Sequence, residues 1–294
     1  MAPSFRLRLF SAVVRATVRS RLGDMRDLAK LKRVFEGFSL PAPRGVGFRA
    51  DRIGGIVGEW AEAGGEAPLL YLHGGGFVGC SPQTHRTLTG GFARRGFRVF
   101  APDYRLAPKY PFPAAVEDAL AAWRGFSESV GRPAAIAGDS AGGNLALAVT
   151  VHVKAETGAP AAAAAFSPAT DLTGASESWR SNRLRDDMFT DQLMNLAEFY
   201  LQGADARDPL LSPLHGDLSR LPPVLLHVGE GELLRDDSVR FAEAAGAAGS
   251  RVELKVWPGA PHVFQFAHGF APEARRSLDE TAAFLKAALD GAEA

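Results

Sequence analysis

The chain has 294 residues, 46% of them hydrophobic, and its 33 lysines and arginines balance its 33 aspartates and glutamates. This length suits one large domain or two modest ones, and the neutral balance without a long basic tract argues against nucleic acid as a partner. A single cysteine, Cys80, excludes an internal disulfide framework and fits a reducing compartment, so we expect a cytoplasmic protein. No stretch reaches the roughly 20 apolar residues of a membrane span.

The N-terminal segment is basic and amphipathic. Between Phe5 and Arg33, nine arginines and lysines outnumber Asp24 and Asp27, and apolar residues recur at roughly helical spacing. Three interpretations are open: a helix on a membrane surface, a transit peptide, or an amphipathic helix packed on the protein's own core. We favour the packed helix over membrane contact, because most amphipathic helices in globular chains face the core.

Short apolar runs alternate with helical patterns along the rest of the chain. Strands are predicted at 69–72, 98–101, 134–137, 162–166, 224–228 and 252–256, and helices at 83–95, 114–130, 143–156, 236–248 and 273–289. This alternation is typical of a mostly parallel sheet covered by helices on both faces. Residues 179–205 interrupt it with an extra helix near Thr190. We predict a main domain over 41–178 and 206–294, with residues 1–40 and the 179–205 insertion packed together as a cap.

The segment Gly138–Gly142 lies between a predicted strand and a predicted helix, with Ser140 at its centre. A serine on a sharp strand-to-helix turn has its hydroxyl lifted above the sheet, and glycines on both sides relieve the crowding of the turn. The pattern alone is weak, but this setting indicates a nucleophile. A serine hydroxyl reacts poorly until a neighbouring base takes its proton, so a base is expected elsewhere in the chain.

In one of the chain orders known for serine triads, the acid and the histidine follow the serine, each on a loop after a later strand. His262 meets this condition directly after the strand at 252–256, and His268, the only rival, lies farther on. The acid is expected in the loop after the strand at 224–228. Glu232 is favoured there and Asp236 is the alternative, because Asp236 and Asp237 fit the first turn of the next helix as capping residues. The acid would orient the imidazole and stabilise its charged form.

A glycine loop, His73–Phe77, follows the first strand of the alternating region. The tetrahedral intermediate of acyl transfer carries an oxyanion that needs preorganised N–H donors. Gly74 and Gly75 are the predicted donors, joined by the N–H of Ala141 directly after the nucleophile. No phosphate-loop spacing accompanies these glycines, so phosphate binding is disfavoured.

The chain from about Leu69 onward resembles the hormone-sensitive-lipase-like family of α/β-hydrolases, the bacterial family IV esterases. The motifs that carry the resemblance are His73–Phe77, Asp103–Pro108, Phe112–Ala115, Gly138–Asn144 and Pro261–Phe264. The resemblance implies the α/β-hydrolase fold, with a mostly parallel central sheet flanked by helices and a helical cap that includes Phe5–Phe38. Two positions depart from the family pattern: Glu232 stands where aspartate is common, and Lys109 where an acidic residue is usual.

The resemblance further implies a serine carboxylesterase that hydrolyses short- to medium-chain acyl esters through an acyl-enzyme. It implies a small-molecule ester as the partner, neither metal nor cofactor, and a possible homodimer through the last strand. An amidase or lactonase with the same triad and a non-catalytic small-ligand receptor remain alternatives. Asp103 and Arg105 are predicted to form a structural pair. The candidate substrate-pocket residues are Phe77, Asp139, Leu172, Met188, Phe189, Phe199 and Tyr200.

Overall fold

The computed structural model describes residues 2–22, 25–37 and 40–293. The parts of the predicted N-terminal helix and cap that fall on Asp24 and Phe38 lie outside these ranges. Within the ranges, no helix is both long enough and apolar enough to cross a bilayer.

An eight-stranded sheet forms the centre of the molecule, in the order β1-β2-β4-β3-β5-β6-β7-β8. Its strands are β1 (Gly47–Ile53), β2 (Ile56–Glu62), β3 (Ala67–Leu72), β4 (Phe97–Pro102), β5 (Ala135–Asp139), β6 (Ala162–Phe166), β7 (Val224–Gly229) and β8 (Val252–Trp257). The first two strands form a hairpin, and β2 pairs antiparallel with β4. All other pairs are parallel, so the predicted mostly parallel sheet is confirmed.

Ten α-helices accompany the sheet within the described ranges. They are α1 (Phe5–Val14), α2 (Ser20–Leu22), α3 (Leu28–Gly37), α4 (Arg86–Ala93), α5 (Ala114–Val130), α6 (Ser140–Val153), α7 (Ser178–Ser181), α8 (Leu193–Leu201), α9 (Arg235–Ala247) and α10 (Pro272–Glu293). One apolar layer joins the sheet to α5, α6 and α9, and a second joins its other face to α4 and α10. The sheet is therefore covered on both faces, as its apolar strands require.

The parallel strands bring the chemically active loops to one edge of the sheet. The glycine loop follows β3, Ser140 follows β5, Glu232 follows β7 and His262 follows β8. Carboxyl ends of parallel strands meet at the same edge, where open α/β sheets place their sites. Residues that are far apart in sequence therefore converge there.

The N-terminal helix packs on the body of the protein. It runs from α1 through a π-helical turn (Arg15–Arg19) into α2, and its inward side chains Leu7, Val14 and Leu22 are fully buried. The Ser4 hydroxyl accepts the Leu7 N–H at 3.2 Å, which caps α1. The same residue donates through its N–H and its hydroxyl to the Glu273 carboxylate at 2.6 and 2.8 Å. These contacts fasten the start of the helix to α10.

The predicted Asp103–Arg105 pair is wrong. Arg105 donates instead to the Asp118 carboxylate at 2.9 Å and lies 3.1 Å from Glu117, while Asp103 is exposed. Helix α5 presents two carboxylates to the segment that carries Arg105. Proximity along the chain therefore did not identify the partner.

Candidate active site

Ser140 occupies a backbone conformation that side chains rarely adopt. Its φ of 53° lies in the left-handed region, at the junction of β5 and α6. The two flanking positions have no room for a side chain. A Cβ on Gly138 would lie 2.3 Å from the Gly142 carbonyl oxygen, and a Cβ on Gly142 would lie 2.1 Å from the Leu72 carbonyl oxygen. The strained turn thus depends on having no side chain at either position.

His262 and Glu232 form a buried pair. The Nδ1 atom of His262 lies 2.7 Å from Oε2 of Glu232, and the two side chains are 3% and 1% exposed. Because a carboxylate only accepts hydrogen bonds, Nδ1 carries the proton and Nε2 of the neutral ring is left as an acceptor. Burial acts to lower the pKa of His262, but the Glu232 charge outweighs it and the pKa lies above its ordinary value. The ring is therefore prepared to take up a proton.

The Glu232 carboxylate is held by two further donors. Its Oε1 atom accepts the Ser167 hydroxyl at 2.8 Å and the Gly229 N–H at 2.5 Å. The Ser167 hydroxyl also accepts the N–H of Val263, the residue after His262, at 3.3 Å. Ser167 thus connects the acid to the histidine loop, a role that no sequence pattern indicated.

The alternative residues are engaged elsewhere. Asp236 accepts the Ser178 N–H at 2.9 Å and the Arg235 side chain at 2.7 Å. His268 lies 3.0 Å from the Thr87 carbonyl oxygen through Nε2. Of the two carboxylates left open by the sequence, Glu232 is the one that contacts His262.

The glycine loop presents Gly75 and Gly76 to the cavity, whereas Gly74 and Gly75 were the predicted donors. The Gly74 N–H is directed at Nε2 of His85, 3.2 Å away, beneath the loop. Gly75 and Gly76 line the cavity beside Ser140, and neither N–H donates to another residue in the described ranges. We therefore take Gly76 rather than Gly74 as the candidate oxyanion donor beside Gly75, because the Gly74 N–H is already engaged with His85.

Asp139 anchors the loop from below. It accepts the Tyr71 hydroxyl at 2.7 Å and lies 3.3 Å from Nε2 of His85. A Cβ on Gly74 would approach its Oδ2 atom to 2.3 Å. The residue before the nucleophile thus supports both the turn at Ser140 and the glycine loop, and it also borders the cavity.

A small, mainly apolar cavity of about 60 Å³ opens at Ser140 and His262. Of the predicted pocket residues, Asp139, Met188 and Phe189 line it, and the Phe189 ring meets the His262 ring edge-on at 4.7 Å. The remaining lining residues are Val18, Phe35, Gly75, Gly76, Cys80, Thr84, His85, Val263 and Phe266.

Four predicted pocket residues do not line this cavity. Phe77 stacks on Tyr200 with ring centroids 4.0 Å apart, and Leu172 and Phe199 pack in the apolar core. Their side chains fill space between elements, which is the commoner role of large apolar residues. The sequence analysis did not predict that Val18 and Phe35, from the N-terminal helices, line the cavity.

Comparison with known proteins identifies the family. A family profile described as "alpha/beta hydrolase fold" matches residues 69–266. An acetyl-hydrolase of Streptomyces hygroscopicus is 42% identical over 243 residues, covering 80% of this chain and 81% of that one. The crystal structure of EstE5 superposes with a TM-score of 0.92 at 33% identity, covering 98% of this chain and 99% of that one. An esterase from the bacterial hormone-sensitive lipase family superposes with a TM-score of 0.90 at 36% identity, covering 98% and 100%.

The chain belongs to the α/β-hydrolase fold family, in its hormone-sensitive-lipase-like branch of bacterial esterases. It is a carboxylic ester hydrolase.

Proposed function

We propose that this protein is a serine carboxylesterase for short-chain acyl esters, with Ser140 as nucleophile, His262 as base and Glu232 as acid. The observation that carries the proposal is the 2.7 Å contact between His262 and Glu232 at the border of the cavity that contains Ser140. In the described ranges, the Nε2 atom of His262 is buried without a hydrogen-bond partner. A buried acceptor of this kind is available for a serine proton.

The reaction proceeds in two halves. His262 takes the Ser140 proton as the oxygen attacks the acyl carbon, and the oxyanion that forms is bound by the N–H groups of Gly75, Gly76 and Ala141. The protonated His262 then donates to the leaving alcohol, and the acyl group stays on Ser140. Water, deprotonated by His262, attacks the acyl-enzyme, releases the carboxylic acid and restores the serine.

The cavity favours a small acyl group. A water needs roughly 10–15 Å³ of cavity space, so about 60 Å³ accommodates an acyl chain of a few heavy atoms. Its lining is apolar on the side formed by Val18, Phe35 and Met188. The similarity to an acetyl-hydrolase supports the same preference.

Hydrolysis of p-nitrophenyl esters with acyl chains of two to twelve carbons tests the proposal. We expect the highest kcat/KM at the short end and a burst of p-nitrophenol that reports the acyl-enzyme. Ser140→Ala and Glu232→Gln should each lose on the order of 10⁴-fold or more in kcat. Asp236→Asn, the matched control four residues away, should stay within a few-fold of wild type.

Two outcomes contradict the proposal. Near-wild-type activity in Glu232→Gln together with a large loss in Asp236→Asn would transfer the role of the acid to Asp236. A folded wild-type enzyme that binds esters without hydrolysing any of them would favour a receptor.

Parallel assays on p-nitroanilides and lactones would show whether an amide or a lactone is the preferred substrate.

A further inference from the structure

The segment 178–189, which we name the clamp segment, forms hydrogen bonds with the backbone of the loop that carries Glu232. That loop, residues 229–236, is the acid loop. The Ser178 hydroxyl donates to the Leu233 carbonyl oxygen at 2.5 Å and accepts the Asp236 N–H at 3.0 Å. The Asn182 side-chain amide donates to the carbonyl oxygens of Glu230 and Glu232 at 3.1 and 2.8 Å. The sequence analysis placed residues 179–189 in the cap and Ser178 in the main domain, and it gave this segment no role in holding the acid loop.

The clamp segment also contacts the acid loop through a buried carboxylate, that of Asp186. Asp186 is 1% exposed, and its Oδ2 atom accepts the N–H of Leu233, the residue after Glu232, at 2.7 Å. Its Oδ1 atom accepts the N–H groups of Met188 and Phe189 at 2.7 and 2.8 Å. Three N–H donors converge on one side chain, and a carboxylate can accept from all of them without presenting a donor of its own.

Asp186 is also connected to the histidine. Asp186 accepts the Phe189 N–H, and the centroid of the Phe189 ring lies 4.7 Å from that of the His262 ring. Burial raises the pKa of Asp186, and the nearby charge of Glu232 raises it as well, although the N–H bonds oppose this. Asp186 therefore holds one residue on each side of the Glu232–His262 pair.

The N-terminal helix fixes the clamp segment from outside. The Arg19 guanidinium donates to the carbonyl oxygens of Asp186 and Phe189, and to that of Arg183 at 2.9 Å. These three carbonyls belong to the turn that presents the Asp186 carboxylate. A charged donor on several carbonyls is a strong attachment, so the turn is held on both of its sides.

We propose that Asp186 is a positioning residue for the triad, which fixes Glu232 against His262 by holding the acid loop at Leu233. The inference rests on the proposed role of Glu232 as the acid. It predicts that Asp186 acts through Glu232 rather than through the substrate, by way of its hydrogen bond to the Leu233 backbone. Small displacements of catalytic groups can reduce rates by about 100-fold.

The test is a double-mutant cycle on p-nitrophenyl acetate hydrolysis. Asp186→Asn should lower kcat/KM by about 10- to 100-fold, with the loss in kcat and little change in KM. The matched control is Asp187→Asn, which removes the neighbouring carboxylate that binds Ser11 and Arg15 on the outer side of the turn. It should remain within a few-fold of wild type. Thermal unfolding establishes that each variant is folded.

The cycle separates positioning from general damage. In a Glu232→Gln background, Asp186→Asn should change kcat by less than about threefold, because coupled residues are strongly non-additive. An equal loss in both backgrounds, a loss confined to KM, or no loss in a folded Asp186→Asn would overturn the inference. The effect of Glu232→Gln alone tests the proposed function, so the two failures are distinguishable.

If Asp186→Asn does not fold, Asn182→Ala decides the question under the same criteria. That substitution removes only the amide that donates to the acid loop. Its loss in kcat should again vanish in the Glu232→Gln background. A full, additive loss there would overturn the clamp.

Discussion

At the scale of single residues, the turn at Ser140 depends on close backbone contacts that leave no room for a Cβ on its flanking glycines. Gly142→Ala places a methyl group 2.1 Å from the Leu72 carbonyl oxygen, so either β3 or the start of α6 must move. We expect a loss of about 1–3 kcal/mol in unfolding free energy and a fall in kcat/KM. Urea unfolding and ester assays measure both.

Gly246→Ala in α9 is the control for this substitution. A Cβ at Gly246 meets nothing within 4 Å, so the helix should gain up to about 1 kcal/mol from the better propensity of alanine. Equal stability of the two alanine variants would show that the turn at Ser140 tolerates more than its geometry suggests.

At this scale, the glycine loop is a place where the sequence alone does not identify the functional residues. The motif limits the oxyanion donors to neighbouring glycines, but the choice between Gly74 and Gly76 depends on backbone angles. Gly75 and Gly76 have φ values of 119° and 60°, which only a structure provides. In the same way, Glu232 and Asp236 are both acidic residues of one short segment. The distance to His262 distinguishes them, and spacing in the sequence does not.

At the scale of elements, the N-terminal helix has one face in the core and one face in water. Leu7 is fully buried, whereas Leu9 on the same helix is 43% exposed. Leu7→Ala should lower the unfolding free energy by about 2–5 kcal/mol, because it leaves a cavity in the core. Leu9→Ala should change it by less than about 0.5 kcal/mol. Chemical denaturation of both variants measures the difference.

A similar cost for the two leucine variants would mean that the outward face of this helix is also covered in solution. A negligible cost for Leu7→Ala would mean that the helix contributes little to the global unfolding free energy. The first result would direct attention to self-association, and the second to independent opening of the helix.

Strands and helices were the most predictable parts of the fold. The six predicted strands correspond to β3 through β8, and the predicted helix at 114–130 matches α5, because apolar periodicity is a local signal. The composition of the pocket is not local. Val18 and Phe35 reach Ser140 across more than a hundred residues of sequence, and no periodic pattern records that contact.

At the scale of the whole molecule, buried histidines make the native state sensitive to acid. Burial lowers the pKa of His227 to about 3, assisted by the charge of Lys255, whereas an unfolded histidine has a pKa of about 6.5. Between these values the unfolded chain binds one more proton than the native state, so stability falls as the pH decreases from about 6.5 to 3.

His227→Gln should remove this contribution. The wild type should lose about 2–3 kcal/mol more than the variant when the pH changes from 7.5 to 4.5. Urea unfolding at the two pH values gives the comparison, and the exposed His152 provides the control as His152→Gln. Parallel pH dependence in wild type and His227→Gln would show that this histidine does not carry the acid sensitivity.

The anchoring of residues 5–22 also has a consequence for the order of assembly. Ser4 binds Glu273, 269 positions later, and Arg19 binds a turn about 165 residues away. On a growing chain, this helix therefore finds its place only after the residues around Glu273 have been made, because its long-range contacts need both partners. We expect the amides of this helix to gain protection from hydrogen exchange last during refolding. Esterase activity should then appear only after that docking, so a growing chain stays inactive at least until the residues around Glu273 have been synthesised.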